Sequence, residues 1–186
     1  MAGHALTGVL LVGGSSTRFG SPKALAPIGD ETLAERAWCV LGEICDERIA
    51  VGKAADALPL PFPVLDDGTD VRAPLAGVVA GLRASSNELA VMLPVDCPLV
   101  TPDLLADLAG ACADAAVPQT GPLPGAYRKT ALPALEQALA AGRLTLHRAL
   151  DELDVRVVEL DPAALLNVNA PADLARLGRS AAGDAR

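Results

Sequence analysis

The sequence predicts an α/β fold, a doubly wound sandwich with a mostly parallel sheet. Short apolar runs alternate along the chain with segments of helical pattern, and several of the runs are apolar on both faces. Strands of that kind are typical of a parallel sheet covered by helices on both sides. The predicted strands are residues 8–12, 48–51, 63–65, 89–95, 115–117 and 155–160.

Start signals at the helical segments support the same fold. Thr32 and Glu35 have the spacing of a capping box, and Pro74 and Pro102 stand at the first turn of two further helices. Segments rich in Pro and Gly are too short to be linkers, so we expect one domain over residues 1–186, with a core of about 7–177 and a frayed tail at 178–186. The predicted helices are residues 33–43, 75–84, 102–113, 131–141 and 171–177, the last with Asn169 as N-cap.

Composition and charge exclude several classes of function. The net charge is -8 and aromatic residues make up 2% of the chain, which argues against binding to nucleic acids or anionic membranes. No signal peptide or membrane span is predicted, so a cytoplasmic location is expected.

The four cysteines show no CxxC pair, and Cys39 and Cys112 are predicted to be core residues. With only two histidines, His4 and His147, a histidine general base is not expected.

Residues 11–23 follow the first predicted strand and have the character of a phosphate-binding loop. Gly13 and Gly14 let backbone N–H groups approach an anion, and Arg18 and Lys23 supply positive charge. The segment matches neither the Walker A pattern nor GxGxxG. The alternative is a flexible connector that happens to be rich in Gly and Ser.

Two carboxylates follow other predicted strands. In open α/β sheets, ligands bind beyond the carboxyl ends of the strands, and that rule selects Asp67 and Asp96. Asp96 is placed to bind Mg²⁺, and Asp67 to accept hydrogen bonds from a ribose or a base or to assist the metal. Both could instead be ordinary turn residues. Asn169 is explained as an N-cap, whereas Asn167 has no capping role and could reach the site.

Four sequence blocks, in this order, resemble the molybdenum cofactor guanylyltransferase family of small nucleotidyltransferases. The family's opening reads like LAGG-x-S-x-RMG-x-x-K, and its later blocks read GP-LAG, PxDxP and NVNTPEDL. The resemblance spans roughly residues 7–177. The matching residues are Leu11, Val12, Gly13, Gly14, Arg18, Phe19, Gly20 and Lys23, then residues 73–77, then Pro94, Asp96 and Pro98, and finally residues 167–174.

The resemblance implies a Rossmann-like three-layer fold and transfer of GMP from GTP to the phosphate of molybdopterin, with release of pyrophosphate. It implies GTP as co-substrate and Mg²⁺ as cofactor, and transient contact with enzymes of the cofactor pathway is a further expectation. Arg18 and Lys23 are the expected catalytic residues, and Asp96 is the expected metal ligand. The expected nucleotide-binding residues are Leu11, Val12, Gly13, Gly14, Lys23, Asp67 and Asp96.

The sequence departs from the family pattern at two positions near the nucleotide. Val12 replaces the usual Ala, and Gly52 stands where relatives often carry Asn. Two alternative functions stay open: a cytidylyl- or guanylyltransferase for another phosphorylated acceptor, and a nucleotide-binding module without turnover. On the acceptor side the chain offers only scattered cations, which are Arg128, Lys129, Arg143 and Arg148.

Overall fold

The computed structural model describes residues 5–13, 22–170 and 172–174 of the chain. Its strands are β1 (Leu6–Leu11), β2 (Pro27–Ile28), β3 (Glu31–Thr32), β4 (Glu47–Gly52), β5 (Val64–Asp66), β6 (Leu89–Pro94), β7 (Ala115–Pro118), β8 (Gly125–Arg128) and β9 (Val155–Val158). Its α-helices are α1 (Leu33–Ile44), α2 (Pro74–Ala84), α3 (Pro102–Ala111), α4 (Leu132–Ala140) and α5 (Leu146–Ala149). Of the predicted helix at 171–177, residues 172–174 are described and are helical.

Seven of the strands form one sheet in the order β5-β4-β1-β6-β8-β7-β9, and β2 and β3 form a separate hairpin. Every pairing in the large sheet is parallel except the two made by β8, so the predicted mostly parallel sheet is confirmed. Because β5, β4, β1 and β6 run side by side in one direction, the residues that follow them meet at one edge.

Strand β8 was not predicted, and it changes where two cations lie. It runs antiparallel to β6, so that Arg128 lies opposite Leu89, the first residue of β6. Arg128 and Lys129 therefore stand at the amino-terminal edge of the neighbouring parallel strands, away from the edge where a ligand is expected. The sequence analysis counted these two cations on the acceptor side, whereas the antiparallel direction of β8 places them at the opposite edge of the sheet.

Two hydrophobic layers lie on opposite faces of the sheet, as the alternation of side chains along β1 shows. Leu10 packs in the layer shared with α1 and α3, whereas Val9 packs in the layer shared with α2 and α4. The predicted three-layer arrangement is thus present. The prediction of a buried Cys39 was wrong: its side chain is exposed, because it follows the buried Ala37 by two positions and points away from the sheet.

Side-chain caps hold two of the helix starts, and the one at α1 is the predicted capping box. The Thr32 side chain accepts a hydrogen bond from the backbone N–H of Glu35 at 3.2 Å, and the Glu35 carboxylate accepts one from the Thr32 N–H at 2.8 Å. Thr101 accepts from the N–H of Leu104 at 3.3 Å at the start of α3. These caps satisfy backbone N–H groups in the first turn of each helix, which have no partner within the helix.

Gly81 lets α2 pack closely against β1, and we expect Gly81→Ala to destabilise the fold. A Cβ added there would collide with Val9 Cγ1 and would lie 3.1 Å from Val9 Cγ2. The expected loss in free energy of unfolding is about 1–3 kcal/mol. Gly110→Ala in α3 is the matched control, because a Cβ there meets nothing within 4 Å, and it should stabilise by about 0.5–1 kcal/mol. Urea unfolding measures the free energy of unfolding of both variants. An equal change in the two variants would contradict the close packing of α2 at Gly81.

A polar network at the amino-terminal edge of β1 predicts a pH-dependent stability. The Glu47 carboxylate accepts hydrogen bonds from Thr7 Oγ1 at 2.6 Å and from the backbone N–H of Ser86 at 2.8 Å. Although partial burial opposes ionisation, the hydrogen bonds from Ser86 and Thr7 hold the pKa of Glu47 below its usual value of 4.5. The stabilisation is therefore complete above that value and is lost as the pH falls through the lower, folded-state pKa.

We accordingly expect Glu47→Gln to lower the melting temperature at pH 7, with a smaller difference from the wild type at acidic pH. Thermal unfolding of both proteins across the range from neutral to acidic pH measures the two differences. A difference in melting temperature between the two proteins that grows as the pH falls would contradict this account of the network.

Candidate active site

A cleft of about 440 Å³ opens at the carboxyl ends of β1, β4, β5 and β6. That volume is within the range of small-molecule sites. Six of the eight residues predicted for the site line it, which are Leu11, Val12, Gly13, Lys23, Asp67 and Asp96. The other two, Gly14 and Arg18, lie outside the described residues.

Lys23 and Asp96 form an ion pair on one side of the cleft. Lys23 Nζ lies 3.2 Å from Asp96 Oδ2, and the two side chains are 18% and 26% exposed. Lys23 begins a short 3-10 turn after Pro22, and Asp96 comes directly after β6. The main chain of Asp96 is also fixed, because its carbonyl accepts a hydrogen bond from the N–H of Val168 at 2.8 Å.

The two late asparagines both belong to this side of the cleft. Asn169 Oδ1 accepts a hydrogen bond from Lys23 Nζ at 3.3 Å, so its side chain contacts the cation. The backbone N–H groups of Asn169 and Ala170 donate instead to Asp173 Oδ2, at 2.9 and 2.8 Å. Asn167 lines the cleft, and its Oδ1 accepts from Cys97 Sγ at 3.0 Å. Burial raises the pKa of the Cys97 thiol, which stays protonated as a donor.

The residues around Asp96 suit a magnesium ion that arrives with a polyphosphate. Within the part of the chain that the structure describes, no group of three or more His, Cys, Asp or Glu side chains could hold a metal on its own. Magnesium usually takes one or two carboxylates together with substrate phosphates and water, so a single accessible Asp is a sufficient protein ligand. Asp96, with its hard oxygen donors and its position at the cleft, fits that requirement.

A second ion pair, formed by Lys53 and Asp67, lies on the far side of the cleft. Lys53 Nζ lies 2.7 Å from Asp67 Oδ1, and the two side chains are only 10% and 6% exposed. Asp66, by contrast, accepts from the backbone N–H groups of Ala54 and Gly68 and has a local structural role. Asp67 lines the cleft, whereas Asp66 is not among its lining residues.

The sequence interpretation missed Lys53, although a signal for it was present. Lys53 follows Gly52, the last residue of β4, and the rule that selected Asp67 and Asp96 applies equally to it. Arg72 was also missed, and it lines the cleft while its guanidinium pairs with Asp56 at 2.7 and 3.2 Å. Neither Arg143 nor Arg148 is among the residues that line the cleft.

The two departures from the family pattern meet in the wall of the cleft. A Cβ added at Gly52 would lie 2.8 Å from Val12 Cγ2 and 3.2 Å from Val64 Cγ1. The larger side chain at Val12 thus occupies space that the absence of a side chain at Gly52 leaves open. This part of the cleft is consequently apolar, with Val51 and Pro74 beside them.

Residues 8–157 match the family model described as the MobA-like NTP transferase domain. The chain belongs to this family. It is therefore a nucleotidyltransferase, as the resemblance implied. A protein of Chloroflexus aggregans, named as a probable molybdenum cofactor guanylyltransferase, is 34% identical over 190 residues, which cover 91% of each chain. A protein of the same name from Mycobacterium tuberculosis is 34% identical over 183 residues, again 91% of each.

Solved structures support the fold. The molybdopterin-guanine dinucleotide biosynthesis protein A of Archaeoglobus fulgidus superposes with a TM-score of 0.81 at 24% identity, covering 95% of this chain and 99% of its own. The 2-C-methyl-D-erythritol 4-phosphate cytidylyltransferase of Thermus thermophilus has a TM-score of 0.70 at 21% identity, with 92% and 98% covered. The Rossmann-like prediction is thereby confirmed. None of the helices in the described residues combines the length and apolar character that crossing a membrane requires.

Proposed function

We propose that the chain transfers GMP from GTP to the phosphate of molybdopterin and releases pyrophosphate. The observation that carries the proposal is the pairing of Lys23 with Asp96 in the cleft at the carboxyl edge of the sheet. A cation beside a carboxylate at that edge suits a triphosphate with its magnesium ion. The identity of the acceptor rests on the names of the relatives, which are named as probable molybdenum cofactor guanylyltransferases.

The spacing of the two ion pairs supports a nucleotide lying across the strand ends. Asp67 follows β5 and Asp96 follows β6, and β4 and β1 lie between those strands. Three strand spacings of about 4.8 Å separate them by roughly 14 Å. A ligand that contacts both pairs must be long and must have a polyanionic end and a hydrogen-bonding end, as a nucleoside triphosphate has.

The reaction needs positioning and charge neutralisation more than proton transfer. An oxygen of the acceptor phosphate attacks the α-phosphorus of GTP, the bond from that phosphorus to the bridging oxygen breaks, and pyrophosphate leaves. A phosphate monoester is largely ionised at neutral pH, since its second pKa is about 6, and so requires no general base. Lys23 neutralises charge on the phosphates as it develops, and Arg18 is proposed to do the same. Magnesium held by Asp96 would supply further positive charge to the triphosphate when bound.

Release of pyrophosphate tests the proposal. The enzyme is incubated with Mg²⁺, molybdopterin and either GTP or CTP, and parallel reactions contain a sugar phosphate or no acceptor. We expect release that requires both GTP and molybdopterin. Faster release with CTP, or with the sugar phosphate, would assign the chain to another nucleotidyltransferase specificity. GTP binding without release for any acceptor would identify a binding module.

A further inference from the structure

The Asp67 carboxylate presents two very different oxygens. Oδ1 accepts three hydrogen bonds, from Lys53 Nζ at 2.7 Å, from the N–H of Thr69 at 3.0 Å and from Thr69 Oγ1 at 3.1 Å. Oδ2 receives none from residues 5–13, 22–170 or 172–174. The side chain is 94% buried yet lines the cleft. A buried carboxylate oxygen without a donor is costly, so this oxygen is suited to accept from a ligand.

Lys53 fixes which oxygen is left for the ligand. Its ammonium group has three donors, and these reach Asp67 Oδ1, the carbonyl of Thr69 at 2.5 Å and Thr69 Oγ1 at 3.2 Å. All three N–H bonds are therefore directed at the Asp67–Thr69 turn, and none remains for a substrate. Lys53 accordingly acts through Asp67: its hydrogen bond holds Oδ1 in the Asp67–Thr69 turn, away from the ligand.

The surroundings favour a base over a ribose at this oxygen. Val12, Gly52 and Pro74 make the adjacent wall apolar, which suits the flat face of a base. The pair also lies roughly 14 Å across the sheet from Asp96, at the end of the cleft that is far from the proposed triphosphate. An ionised carboxylate only accepts hydrogen bonds, and guanine offers two adjacent donors, the N1–H and the 2-amino group.

We propose that Lys53 is a positioning residue for guanine selection, because it holds Asp67 so that Oδ2 accepts a hydrogen bond from the 2-amino group of the base. This inference rests on the proposed binding of GTP. Lys53, directly after β4, would thus influence which base binds without contacting the base itself. Neither Lys53 nor Asp67 takes part in bond making, so base selection and turnover are separable.

Calorimetric titration of the full chain with GTP, inosine triphosphate and 2′-deoxy-GTP tests the inference. Inosine triphosphate lacks the 2-amino group, and 2′-deoxy-GTP lacks the ribose 2′-hydroxyl. The wild type should bind GTP more tightly than inosine triphosphate by about 10- to 100-fold. Lys53→Met should bring this ratio close to one while leaving the ratio of GTP to 2′-deoxy-GTP unchanged. Lys129→Met, the same replacement at the opposite edge of the sheet, should alter neither ratio.

A second variant keeps the test independent of the stability of Lys53→Met. In Asp67→Asn the amide oxygen is held by Lys53 and Thr69 at the Oδ1 position, so the NH₂ group replaces Oδ2. This variant should prefer xanthosine triphosphate, which has a carbonyl in place of the 2-amino group, over GTP. The same preference should be absent when Lys53→Met is added, because the amide is then free to turn.

The outcomes separate failure of this inference from failure of the proposed function. An unchanged ratio of GTP to inosine triphosphate in folded Lys53→Met, with no gain of xanthosine triphosphate binding in Asp67→Asn, would overturn the role of Lys53. A change confined to the 2′-deoxy-GTP ratio would also overturn it and would place the ribose at Asp67. Tighter binding of CTP than of GTP by the wild type would instead contradict the proposed function itself.

Discussion

Replacing Asp96 with Ala is expected to lower kcat/KM for pyrophosphate release by about 10³-fold, the loss typical of removing a main electrostatic contact to the reacting group. Asp96 is the proposed protein ligand for magnesium, and its Oδ2 also lies 3.2 Å from Lys23 Nζ. The variant loses both contacts at once. The fold should persist, because the Asp96 side chain is 26% exposed and the chain around it is held by main-chain hydrogen bonds.

Asp107→Ala is the matched control for this experiment, because Asp107 is an exposed carboxylate in α3 that does not line the cleft. It should retain wild-type turnover. Titration with Mg²⁺ distinguishes the two variants, since raising the magnesium concentration should restore little activity to Asp96→Ala. Turnover of Asp96→Ala at the wild-type rate, with an unchanged magnesium dependence, would remove Asp96 from the site.

Replacing Lys23 with Met is expected to lower kcat by about 10²- to 10³-fold, because a positive charge aimed at the triphosphate is lost. Lys23 Nζ donates hydrogen bonds to Asp96 and Asn169 on one side of the cleft. These two contacts hold the ammonium group in one position. Lys23→Arg should recover part of the activity, since the charge is kept although the shape of the donor group changes.

Steady-state kinetics of Lys23→Met beside Lys129→Met measure this effect, because both variants remove one lysine charge and only Lys23 lines the cleft. We expect near-normal kinetics for Lys129→Met and a loss in kcat for Lys23→Met. A rise in KM with an unchanged kcat would mean that Lys23 binds the nucleotide equally in the ground state and the transition state, which contradicts its catalytic assignment.

Much of the candidate site could be predicted because parallel strands bring their carboxyl ends to one edge. That rule placed Lys23, Asp67 and Asp96 together although Lys23 and Asp96 are 73 residues apart in the chain. The same rule applies to Lys53, which follows β4 and which the sequence interpretation missed. Nothing in the sequence shows that Lys53 pairs with Asp67, since the bond depends on the turn that carries Thr69.

Strand β8 shows what the sequence pattern could not supply. It has only four residues and contains one large apolar side chain, Tyr127, so no hydrophobic period marks it. Its antiparallel direction depends on its pairing with β6 and β7 and not on any local residue preference. The positions of Arg128 and Lys129 follow from that direction. The sequence pattern alone therefore could not show at which edge of the sheet these two cations lie.

Tracing the α-phosphate of GTP tests the central claim most directly. GTP labelled at the α-phosphorus or at the γ-phosphorus is incubated with the enzyme, Mg²⁺ and molybdopterin, and the pterin product is separated and counted. The proposed reaction predicts that the α label moves to molybdopterin and that the γ label leaves as pyrophosphate. Transfer of the γ label, or a pterin product that carries neither label while GTP is consumed, would contradict it.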